Sequence, residues 1–108
     1  MIKLPLDADN VEVVTTKINE YLEHINMQYP GYNGNGAYTN NQYRYTIDGD
    51  SIITLNGLSI GCYGKFEILI DMQLSFIRIL DKNNKLPFSL LECAFNDFDL
   101  ESFSISST

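Results

Sequence analysis

"YRYTIDGDSIITLNGLSIGCYG", residues 43–64, sets how the strands of this chain are paired. Ile, Thr and Tyr give it strand character, and Asp48-Gly49 and Asn56-Gly57 punctuate it as turn signals. A two-residue turn at Asn56-Gly57 sets Leu55 opposite Leu58, Ile53 opposite Ile60 and Ser51 opposite Cys62, so the apolar members share one face. At the first turn, a two-residue loop would put Arg44 opposite Ile53 on that buried face. A three-residue loop, Asp48-Gly49-Asp50, puts Tyr45 there instead and is preferred. Two hairpins in series are predicted, the first with two carboxylates projecting from its tip.

Downstream, "FEILIDMQLSFIRIL" (66–80) alternates from Phe66 to Phe76. As one strand it would reach about 50 Å, against a domain only about 35 Å across, so it must bend or turn. The break is placed near Asp71 to Gln73, with a bulge or two-sided burial at Phe76-Ile77; a helix is the alternative reading. After the polar "DKNNK" loop, Ser89 and Glu92 have capping-box spacing, and Leu91, Phe95 and Phe98 share one helical side, which predicts a short helix. Phe103 and Ile105 then add a brief final strand or fray.

Upstream, Val11, Val14, Ile18, Leu22, Ile25 and Tyr29 fall within roughly 40° of one line on a helix. Asp9 and Glu12 fit a capping box at its start, and Pro30-Gly31 ends it. "GYNGNGAYTNNQ" (31–42) is then a loop longer than a simple connection needs. Residues 1–108 read as a single α+β domain: an N-terminal helix packed on an antiparallel meander of four to five strands, with a short C-terminal helix. Helices cover one face of the sheet, which leaves the other face or the loops for function.

Fourteen carboxylates against seven basic side chains give a net charge of −7. That balance argues against direct nucleic-acid binding, which demands clustered Lys and Arg, and suits a basic partner. No apolar run has the length of a membrane span, and "MIKLPLDADN" lacks the apolar stretch of a signal peptide, so a cytoplasmic protein with no membrane partner is expected. Cys62 and Cys93 read as buried thiols, with a single pairing left open. His24, the sole histidine, lies off the helical stripe four residues after Glu20, the place of a solvent-exposed residue. No Ser-His-Asp or Cys-His arrangement can be assembled, "GNGAY" lacks the P-loop lysine, and "DGDS" lacks the ligands of a calcium loop. No enzyme activity, cofactor or metal is therefore expected.

Two features point to binding. Between Leu86 and Thr108 the charged residues are Glu92, Asp97, Asp99 and Glu101, with no basic residue among them. Complementary charge of that kind speeds encounter with a basic protein. Tyr29, Tyr32, Tyr38, Tyr43 and Tyr45 crowd the loop and its flanks, and a Tyr, Asn and Gly mixture is the chemistry of adaptable binding loops.

In size, charge and loop composition the chain resembles small acidic bacterial immunity proteins of the contact-dependent inhibition type. The resemblance rests on no family motif and carries over no residue. It implies a protein that neutralises a cognate toxin domain, often a basic nuclease, by occluding its active site. The candidate partner-binding residues are Asp48, Asp50, Asp97, Asp99 and Glu101 for charge, and Tyr32, Tyr38 and Tyr43 as anchors. Alternatives are a phage-encoded inhibitor of a host nucleic-acid-binding complex and a carbohydrate- or peptide-binding module.

Overall fold

Helix α1 (Val11–His24) precedes β1 (Ala37–Thr39), β2 (Gln42–Asp48), β3 (Ser51–Leu55), β4 (Leu58–Cys62), β5 (Lys65–Asp71), β6 (Phe76–Asp81), β7 (Ser89–Ala94) and β8 (Ser104–Ser107). This computed structural model describes residues 4–25, 37–39, 41–86 and 88–107. Asn56 and Gly57, with φ of 53° and 81°, close the hairpin between β3 and β4, the backbone geometry that matches strand twist. Its register sets Leu55 against Leu58, Ile53 against Ile60 and Ser51 against Cys62, as the sequence predicts.

The strands divide between two antiparallel sheets, one ordered β1-β2-β5-β6-β7 and one ordered β4-β3-β8. The expected first hairpin is therefore not formed. Tyr45 lies opposite Ile68 in β5, and Ile53 lies opposite Ile105 in β8. Residues 48–51 carry the chain from one sheet to the other. This lets the fully buried Tyr45, Ile47 and Ile53 line one shared core from two sheets. Gly49 sits at the crossing with φ of 144°, a conformation that a side chain would strain. Its N–H donates to the Gly64 carbonyl at 2.9 Å and ties the crossing to the turn between β4 and β5.

The long alternating run does break, after Asp71. The Asp71 Oδ1 accepts the N–H groups of Gln73 and Leu74 at 2.9 and 2.8 Å, closing the turn into β6. The register irregularity falls at Ile79/Leu80, against β7, rather than at Phe76-Ile77.

Ser89–Ala94 is a strand, not the start of a helix. Leu91 and Cys93 pack against the core, while Glu92 turns outward to Arg78 at 3.0 Å. An alternation with period two, supported by a neighbouring strand, prevails over the local capping-box spacing. Two 3-10 turns, Phe95–Asp97 and Leu100–Ser102, then lead the chain into β8.

At the front of α1, Asp9 and Glu12 form no capping box. Asp7 Oδ1 accepts the N–H groups of Asp9 and Asn10, and the Asn10 side chain bonds the Asp7 N–H and the Pro5 carbonyl. Val11, Val14, Ile18 and Leu22 are buried as the stripe predicts, and Tyr29 lies outside the described residues. Tyr21 is also buried, its hydroxyl 2.6 Å from the buried Ser51 Oγ. Among the described residues no helix is long and apolar enough to cross a membrane.

Candidate partner-binding surface

The segment between β7 and β8 alternates inward and outward side chains at the short period of a 3-10 turn. Phe95, Phe98, Leu100 and Phe103 are buried, whereas Asp97 and Glu101 are exposed and Asp99 is half-buried. The Phe98 and Phe103 rings pack at 5.9 Å, tilted by 44°. Asn56, at the β3–β4 hairpin tip, clasps the same segment: its Nδ2 donates to the Asp97 carbonyl at 2.7 Å and its Oδ1 accepts the Asp99 N–H at 2.6 Å. On the other side, the Leu6 N–H donates to the Phe95 carbonyl and the Leu100 N–H donates to the Leu4 carbonyl. The acidic side chains thus stand on a backbone held from within and from both flanks.

The structure does not gather all the candidate carboxylates into one surface. Ser104 lies beside Thr54 and Ser107 beside Ser51, so residues 97–101 sit at the Asn56 end of β3. Asp48 and Asp50 sit at its Ser51 end, about 15 Å away along a five-residue strand. Asp50 Oδ1 accepts the Gly64 N–H at 3.3 Å, and Asp48 pairs in register with Lys65. Tyr43 is half-buried and packs against the core. Tyr38 occupies the register position opposite Tyr43, while its side chain and the whole of Tyr32 lie outside the described residues.

Two exposed aromatics, Tyr63 and Phe88, were not singled out from the sequence. Tyr63 is 66% exposed, and its ring lies over Gly61, where an added Cβ would meet the hydroxyl at 2.6 Å. The signal available was the glycine two positions before it.

The outer face of the five-stranded sheet is charged but internally matched. Arg44 bonds Glu67 at 2.9 Å, Lys82 approaches Glu67 at 3.6 Å, and Arg78 bonds Glu92 while its guanidinium lies 4.5 Å from the Phe76 ring centre. Gln42 links Arg44 to Asp71, donating to Asp71 Oδ2 at 2.8 Å. The Leu74 N–H, with smaller contributions from Gln42, Gln73 and Arg44, holds the Asp71 carboxyl below its ordinary range against the opposing cost of burial. By contrast, none of the ion pairs among the described residues involves Asp97, Asp99 or Glu101. The charge left uncompensated therefore includes the 3-10 segment.

Cys62 is the buried thiol the sequence predicts, whereas Cys93 is only half-buried. Burial, and secondarily the nearby Asp81 charge, pushes the Cys62 thiol up to about 11, so it stays protonated at neutral pH. His24 is exposed. Among the described residues no three His, Cys, Asp or Glu side chains converge as a metal site requires. No family model, curated protein or solved structure matches this chain.

Proposed function

We propose that this protein is an immunity-type inhibitor that binds a basic toxin domain, a nuclease in the simplest case, and covers its active site. The observation that carries the reading is the 3-10 segment. Its Asp97, Asp99 and Glu101 have no cation partner among the described residues, and their backbone is anchored by four buried apolar side chains and the Asn56 clasp. Preorganised carboxylates of this kind stand in for the phosphates that a nuclease cleft attracts, and they lose little entropy on docking. The inhibitor performs no chemistry in this scheme; exclusion of substrate suffices. Asp48 and Asp50 form a separate patch and are assigned at most a peripheral contact.

The test is capture of partners from the source cell on immobilised protein, at low and high salt, beside an Asp97→Asn, Asp99→Asn, Glu101→Gln variant. A basic partner that the wild type retains at low salt, and that both salt and the variant release, supports the reading. An acidic partner, or one held equally by the variant, overturns it.

A further inference from the structure

Strand β8 is an edge of the three-stranded sheet, and it faces α1 across a groove of about 390 Å³ lined by Lys17, Glu20, Tyr21 and His24 on one wall and residues 103–107 on the other. The direction of its main-chain groups follows from two independent observations. In the two-residue hairpin, Leu55, Ile53 and Ser51 turn their N–H and C=O groups toward β4, so Thr54 and Ile52 turn theirs toward β8, where they meet Ser104 and Ser106. Separately, Lys17 Nζ reaches out of the groove to the Phe103 carbonyl at 2.9 Å, which shows that Phe103 points its backbone at the groove. Two-residue alternation then directs the N–H and C=O of Ile105 and Ser107 into the groove as well. They make no hydrogen bond there among the described residues.

We propose that this groove takes an extended, basic segment of a partner protein as an added strand on β8. An exposed edge with unpaired main-chain groups is a template for another strand unless a proline, bulge or lysine blunts it; "SISS" has none of these, and Lys17 on the helix wall caps only the Phe103 carbonyl ahead of it. Ile105 and Ser107 offer the incoming main chain its hydrogen bonds. Glu20, exposed on the helix wall, offers a carboxylate to a basic side chain. A second copy of the chain is the wrong occupant, because two molecules of charge −7 repel each other. The groove shares no lining residue with the matched charges of the large sheet, and its function stands whether or not the 3-10 segment docks a toxin.

The test uses a capped peptide of about eight alternating Lys and Val residues, long enough to span the four-residue strand, and its Glu and Val counterpart. With the Lys peptide, the amide protons of Ile105 and Ser107 gain protection from hydrogen exchange, while those of Ser104 and Ser106 are protected with or without it. Ser107→Pro, which removes an outward N–H from an edge strand, and Glu20→Lys each weaken binding about five-fold. The variant at Asp97, Asp99 and Glu101 retains peptide binding, which separates this site from the acidic segment. Equal binding of the Glu peptide, unchanged exchange at Ile105 and Ser107, or full affinity in both groove variants overturns the proposal.

Discussion

Asn56 serves two purposes in one side chain. Its positive φ makes the hairpin turn, and its carboxamide clasps the 3-10 segment. Asn56→Gly keeps the turn and removes the clasp, so urea unfolding should show a loss of about 1–2 kcal/mol with an unchanged m-value. A change no larger than the scatter of the fit would mean that the clasp is incidental. Asp71 carries a second prediction at this scale. Its folded-state pKa is lowered, so its contribution is fully present above the unfolded carboxylate value of about 3.9 and is lost as pH falls through the folded one. Asp71→Asn keeps an acceptor but removes the charge. It should be less stable than the wild type near neutrality, with the gap closing in acid; a gap independent of pH would rule out this linkage. The sequence showed that Asn56 turns a hairpin and that the chain breaks near Asp71. It did not show the Asn56 clasp on Asp97 and Asp99 or the Gln42 link to Asp71, because those partners lie 29 to 43 residues away.

Among the elements, the helix and the β3–β4 hairpin were legible because both are local. One rests on a 3.6-residue apolar stripe and the other on a two-residue turn. β7 was misread because Ser89 to Phe98 satisfies helical spacing and strand alternation at once, and only pairing with β6 separates them. The same ambiguity hid the 3-10 platform, whose apolar residues at 95, 98, 100 and 103 fit no single long-range period. Phe98 is its central anchor, fully buried and packed against Phe103. Phe98→Ala should cost about 3–5 kcal/mol by thermal or chemical denaturation and should loosen the acidic display above it. Partner capture that survives this substitution intact, with the protein still folded, would show that the carboxylates need no rigid support.

At the scale of the whole molecule, charge is segregated rather than merely negative. Arg44, Arg78 and Lys82 are engaged with Glu67 and Glu92 on the sheet's outer face, while the 3-10 segment carries carboxylates alone. Association with a basic partner should therefore slow as salt rises, with the dissociation rate changing less. Stopped-flow or surface-binding kinetics would check this, and an association rate indifferent to salt would exclude electrostatic steering. The candidate residues were legible as a class, since acidic and aromatic side chains can be counted. Their grouping was not, because Asp48 and Asp50 sit at one end of β3 and residues 97–101 at the other. Sequence alone was enough for the α+β class, the buried helix stripe, the hairpin register and the net charge. Apart from the charge, a simple sum, these depend on neighbours within a turn or a few residues. Tertiary packing was needed to part β2 and β3 into separate sheets, to make residues 89–94 a strand and to place β8 at the edge of its sheet beside α1. Each of these depends on which distant strand supplies hydrogen bonds and which apolar face it covers.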